Sequence, residues 1–171
     1  MPMKISSKMK EMLNDQIGME GYASSYYLSM ATWCESTGYE GAAQFFYAQS
    51  DEERQHMLKI VRHLNRIGAS ATIPKIKQPP AKFESLEDIC KTALGNEVVV
   101  TAAFAKMVEC AQEERDHTTF TFLQWFVEEQ IQEETTFESI LQKFELIGRD
   151  RLALVEIDRI MGTMAAATDA A

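Results

Sequence analysis

Proline and glycine are scarce in this chain of 171 residues, at 4 and 8, and most of them fall between periodic segments rather than inside them. With few helix breakers inside the segments, long helices and an all-α fold are expected. Cysteine is scarcer still: Cys34, Cys90 and Cys110 are odd in number, far apart and without Cys-x-x-Cys spacing. That spacing suggests neither a disulfide framework nor a thiolate metal site, and it favours reduced thiols in a cytosolic protein. No apolar run approaches the ~20 residues of a membrane span, and no apolar core of signal-peptide length follows the N-terminus. A soluble cytoplasmic protein is therefore expected. Positive charge is short as well, with 17 Lys and Arg against 26 Asp and Glu and a formal net charge of -9. Nothing basic is concentrated enough to neutralise nucleic-acid phosphates, so cations are the expected ligands.

What is present is helical patterning on a mass of 19.4 kDa, enough for one domain (residues 1–171) with a sizeable core. Four long amphipathic segments are delimited by their punctuation, and together they span about residues 6–147. The first runs from Ser6, a plausible N-cap, to Thr37 before Gly38, and the second from Glu40 towards Gly68. Ser85 with Asp88 resembles a capping box that opens the third, which carries Glu97, Thr101, Phe104 and Val108 on one stripe and continues to about Arg115. Asp116 or Thr118 caps the fourth, which ends at Gly148. A short fifth helix, about 150–161, precedes a small and polar tail, 165–171, expected to fray. Short connections make the first pair and the last pair antiparallel hairpins. The stretch between Gly68 and Ser85 holds Pro74, Pro79 and Pro80 and cannot be helical throughout. Its ~16 residues, extended, reach ~50 Å, longer than a helix of ~28 residues at ~42 Å. One long crossover between the second and third helices follows, in a four-helix bundle.

The chemistry concentrates at mid-height. Glu53 and His56 are three residues apart on one helix face, so carboxylate and imidazole converge on one point. Glu20, Glu97 and Gln130 with Glu133 lie within about a turn of the midpoints of the other three segments. All sit on stripes that are otherwise apolar, where one unpaired carboxylate costs several kcal/mol and like charges add repulsion. A cation resolves the conflict. One histidine among many carboxylates suits iron better than zinc, which prefers thiolates and imidazoles. Singly, each Glu reads as a solvated surface residue and His56 as a core residue; the coincidence of four at one level favours a metal site. His63 lacks such company and reads as structural, and His117 reads as an exposed turn residue.

The runs Glu20-Gly21-Tyr22-Ala23-Ser24-Ser25-Tyr26-Tyr27, Glu40-Gly41-Ala42-Ala43, Glu52-Glu53-Arg54-Gln55-His56 and Phe120 to Val127 with Glu129-Gln130 together resemble the non-haem bacterial ferritins over about Lys4 to Met161. The resemblance implies a ferritin-like bundle and a hollow cage of 24 subunits. It also implies a ferroxidase activity, in which ferrous iron is oxidised by O2 at an intrasubunit di-iron centre and ferric mineral is stored. Carried over, Glu20, Glu53 and His56 would hold the first iron, with Glu53 bridging to a second at Glu97. Gln130 would position that second iron or its oxygen ligand, and Tyr27 would supply a further electron. Glu52, Glu129 and Glu133 match a third iron position, where Gln132 stands in place of a Glu found in related chains.

Two relatives make different expectations. Haem-containing bacterioferritins carry a Met directly after the second-helix Glu and a second Glu-x-x-His in the fourth helix. Arg54 and Gln130-Ile131-Gln132-Glu133 stand there, so no haem is expected. A di-iron oxidase or peroxidase of the rubrerythrin type would bring a Cys-x-x-Cys tail and a second histidine, and this sequence has neither.

Overall fold

The structure, a computed structural model, describes residues 5–169 as five helices, with no strand among the described residues. Helix α1 spans Ser7–Thr37, α2 Glu40–Arg66, α3 Leu86–Glu113, α4 His117–Ile147 and α5 Arg151–Asp169. Ser6 Oγ accepts from Met9 N at 2.9 Å, Ser85 Oγ from Asp88 N at 3.1 Å, and Asp116 Oδ1 from Thr119 N at 3.0 Å, each satisfying a donor that the first turn leaves free. Asp116 rather than Thr118 is thus the cap of α4. His117 is its first helical residue, exposed as expected but inside the helix rather than in a turn. Gly38 closes α1 at φ 91°, a left-handed conformation that costs glycine little.

The connector from 67 to 85 climbs along α1. Thr72 N donates to Asn14 Oδ1, Pro74 lies against Gly18 and Ile76 against Gly21. Higher up, Ser29 donates to the Pro80 carbonyl and Phe83 packs on Trp33. Each step advances in the direction of α1, so the chain returns to the top of the bundle before α3 starts. Tyr27 meets Glu97, and Cys34 shares an apolar cluster with Cys90 while Leu13 shares one with Met107, so α1 and α3 are antiparallel. Helix α2 is antiparallel to α1, hence α2 and α3 run parallel.

The fifth helix is longer than the sequence suggested. Instead of stopping near 161 with a fraying tail, it continues to Asp169; residues 170–171 lie outside the described residues. Ala165, Ala166 and Ala167 are strong helix formers, and the Ile157, Met161 and Ala165 side chains are buried in the upper apolar cluster. Gly162 permits the docking: a Cβ there would lie 3.1 Å from Gly41 Cα. Asp158 also caps α2, its carboxylate accepting from Gly41 N at 3.2 Å and Ala42 N at 2.8 Å.

The core divides into two apolar clusters. The upper one holds Tyr27, Phe46, Cys90, Phe137 and the α5 residues; the lower one holds Leu13, Ile60, Phe104, Leu123 and Phe126. Met107, not Val108, continues the α3 stripe, because 3.6 residues per turn favours the i+3 step there. All three cysteines are unpaired and buried. No helix is long and apolar enough to cross a membrane among the described residues.

Candidate metal centre

Between the two apolar clusters lies a polar layer. Glu20 from α1, Glu53 and His56 from α2, Glu97 from α3, and Gln130 and Glu133 from α4 are all buried there. Ligand atoms of Glu20, Glu53 and His56 lie within 4.8 Å of one another, and so do those of Glu53, Glu97 and Glu133. Glu53 belongs to both groups. A third group joins Glu52, His56, Glu129 and Glu133 within the same distance, with Glu52 and Glu129 half-buried. The carboxylates and the histidine expected at the centre therefore lie together. Glu133, assigned from sequence to the third position alone, also belongs to the second.

The polar atoms are poorly satisfied by the protein. Glu20 Oε2, Glu53 Oε1 and both ring nitrogens of His56 are buried without a hydrogen-bond partner. His56 Nδ1 faces Glu53 Oε2 at 3.5 Å and Glu20 Oε2 at 3.9 Å, while Nε2 faces Glu129 Oε2 at 3.8 Å, all beyond hydrogen-bonding distance. Burial pushes the Glu20 carboxyl well above its ordinary range, and the Glu53 charge beside it adds to the shift. Burial likewise raises Glu53, Glu97 and Glu133, with neighbouring carboxylates reinforcing it. Six carboxylates around one imidazole, with orphaned oxygens at the centre, make a chelating site for hard or borderline cations.

Other atoms hold these ligands in place. Gln16 Nε2 donates to Glu20 Oε1 at 2.6 Å. The Tyr27 hydroxyl donates to Glu97 Oε1, with its ring stacked between Phe46 and Phe137 at 5.9 Å from each. Burial and the adjacent Glu97 raise the phenol further, so its proton stays on that bond. Gln130 Nε2 donates to Glu97 Oε2 at 3.0 Å and to Thr101 Oγ1 at 3.2 Å, and Thr101 in turn donates to Glu134 Oε1. Gln16 and Glu134 were missed by sequence reasoning, and Thr101 was read only as a stripe residue. Gln16 stands four residues before Glu20, a spacing that could have exposed it. The site opens on the side of the third group. A depression of about 430 Å³ is lined there by Gln49, Glu52, Glu129, Gln132 and Glu133, together with Met164 of α5.

His63, by contrast, is buried and stacked on Phe122 with centroids 3.7 Å apart, away from the carboxylates. Arg54, at the position of the bacterioferritin methionine, is exposed.

Comparison with known proteins gives a consistent picture. The ferritin-like domain family matches residues 10–147. A "Probable bacterial non-heme ferritin-like protein" of Haemophilus influenzae is 39% identical over 160 residues, covering 94% of this chain and 97% of that one. A "Bacterial non-heme ferritin" of Campylobacter jejuni is 35% identical over 94% of this chain and 96% of its own length. Among solved structures, an open pore ferritin from the archaeon Archaeoglobus fulgidus superposes with a TM-score of 0.90 at 35% identity, over 93% of this chain and 98% of that one. With its helices, its crossover and its length all matched, the chain belongs to the ferritin family.

Proposed function

We propose that this protein is an iron-storage ferritin that oxidises ferrous iron with O2 at the buried carboxylate and histidine layer and keeps the ferric product in a cage of its own copies. One observation carries the reading: buried, unpartnered carboxylate and imidazole atoms from two helices converge between two apolar clusters, where a bound cation would compensate them. Iron is the substrate here. Glu20, Glu53 and His56 Nδ1 hold one ferrous ion, and Glu53, Glu97 and Glu133 hold the other, with Glu53 shared. With iron at Nδ1, the His56 proton would sit on Nε2, on the side of Glu129, whose Oε2 lies 3.8 Å away.

Two ferrous ions give up one electron each, and O2 accepts both together with two protons to leave as hydrogen peroxide. Holding both ions side by side supplies the two electrons in one encounter. Gln130 keeps its amide N–H on Glu97, and Tyr27 lies on the other oxygen of the same carboxylate, which would take the phenolic proton if Tyr27 gave a further electron to the peroxide before it leaves. The ferric ions then leave past Glu52 and Glu129. The open depression beside them is a third, outer position, and a 24-subunit assembly in the cytoplasm is the setting we assign to this chemistry.

The test is oxidation of ferrous iron in air by the purified protein, followed by absorbance of the ferric product and by size-exclusion chromatography. His56→Ala and Glu53→Ala each abolish the fast phase while the assembly elutes unchanged. Wild-type rates in both variants refute the centre. A monomer or dimer that consumes O2 without retaining iron points instead to an oxidase.

A further inference from the structure

A second cleft lies between α2 and α4, one to three turns beyond His56, and its chemistry is opposite in sign. It measures about 450 Å³, and its walls include Lys59, Arg62, His63, Arg66, Phe122 and Trp125, with no acidic residue among them. In a chain of net charge -9, three cations gathered on one cleft whose lining holds no carboxylate are a local reversal of sign, and none of Lys59, Arg62 and Arg66 forms an ion pair among the described residues. Lys59 lies 3.8 Å above the Trp125 ring instead. Positions 59, 62 and 66 share one strip of the helix, and the two ends of that strip are ~10 Å apart, within reach of converging long side chains.

His63 supplies an independent sign that a ligand belongs there. Its side chain is 2% exposed and stacked on Phe122. Arg66 Nη2 lies 3.3 Å from Nδ1, and a guanidinium can only donate, so Nδ1 must be the acceptor and the ring proton is forced onto Nε2. Burial first, and then the Arg66 charge, push the imidazole down to about 4 against the opposing pull of Asp116, so the ring is neutral with one N–H. That N–H has no acceptor. A buried donor without an acceptor, on the wall of a cleft bearing three cations, lacks an anion's oxygen.

We propose that this cleft binds a single oxyanion of the phosphate class, through the Lys59, Arg62 and Arg66 cations and the His63 Nε2–H. Several oxygens pointing in different directions match four donors better than the two of a carboxylate, and guanidinium pairs with phosphate bidentately. The strip is too short for a nucleic-acid backbone. Phe122 and Trp125 form an apolar wall on which the organic part of a phosphate ester could rest. The cleft shares Gln55 and Trp125 with the depression beside His56 and Glu129, so a bound phosphate would sit next to the outlet of the acidic site. The binding itself does not depend on the ferroxidase reading, because it is measured without iron.

The test is calorimetric titration of the metal-free protein at pH 7 and low ionic strength with inorganic phosphate and, separately, with phenyl phosphate. Saturable binding at one site per chain is expected. The double variant Lys59→Gln/Arg62→Gln, which changes side chains outside the buried core, weakens it about tenfold or more. His63→Phe keeps the stacking and weakens it further by losing the donor. Tighter binding of phenyl phosphate assigns the site to a phosphate ester, and tighter binding of phosphate assigns it to the free ion. Absence of saturable binding of either probe, or equal affinity in the double variant, overturns the proposal.

Discussion

Glu20→Gln separates a metal ligand from a structural carboxylate, because the two roles predict opposite signs for stability. Glu20 is fully buried, its Oε2 has no partner, and its other oxygen accepts from Gln16. The amide keeps that acceptor and turns its new N–H₂ towards Glu53, a carboxylate in need of a donor. Because the neighbour is a like charge, the neutral amide relieves both the desolvation and the repulsion that raise Glu20, and a gain of about 2 kcal/mol is the order expected. For a chain of this length that corresponds to a rise of about 4–8 °C in the melting temperature of the metal-free protein. The pH dependence fixes the cause. Because the folded-state pKa of Glu20 is raised above 4.5, the native protein binds that proton more tightly than the unfolded chain. Stability from this group is therefore present below about 4.5 and lost as pH rises through the folded-state value. The gap between variant and wild type should be small near pH 4 and widen as pH rises above 4.5 towards the folded-state value. Calorimetric scans of both proteins without metal, at one scan rate and a series of pH values, make the measurement. The same variant should lose one tight site in a cobalt(II) titration. A Glu20→Gln protein that melts at or below wild type at pH 7 refutes the reasoning, since the carboxylate would then be stabilising the fold.

Two further outcomes test neighbouring elements. Gln132 is exposed and shares the outer depression with Glu52, Glu129 and Glu133, so Gln132→Glu adds charge around an incoming ion. Anaerobic ferrous titration should show a tighter third equivalent with the first two unchanged, and identical isotherms exclude the outer position. Gly41→Ala should destabilise by ~1–3 kcal/mol although the same change gains ~1 kcal/mol in an open helix, because the new Cβ would lie 2.1 Å from the Asp158 carbonyl oxygen. A melting temperature equal to or above wild type would mean that α5 is not docked there.

The four long helices were legible because each carries its own local signals: Ser6, Ser85 and Asp116 at the starts, Gly38 and Gly148 at the ends. The convergence of Glu20, Glu53, His56, Glu97 and Gln130 was legible too, because mid-helix residues share one level in any bundle of equal helices. What escaped is what depends on pairs far apart in the chain. Nothing near residue 162 announces that Gly162 meets Gly41 or that Asp158 caps α2, so the fifth helix read as stopping near 161 and its last turns as a fraying tail. Glu133 was placed in one position rather than two because spacing gives the face of a helix but not how far a side chain reaches. The basic cleft was hidden by arithmetic: the net charge averages away three cations that α2 gathers on one strip.

The double membership of Glu133 has a mechanical consequence. Its carboxylate is within reach of Glu53 and Glu97 on one side and of Glu52, His56 and Glu129 on the other. His56 is likewise two-sided, with Nδ1 towards the deep carboxylates and Nε2 towards Glu129. Burial falls from Glu20 and Glu53 in the interior to half-buried Glu52 and Glu129 at the rim. On the proposed function, a cation would pass from the inner groups to the rim by exchanging one oxygen at a time, with a carboxylate beside it at each step. No helix has to open. A closed structural metal site would keep every ligand equally buried, whereas this gradient lowers the desolvation cost of leaving at each step. The arrangement suits a site whose metal is turned over rather than retained.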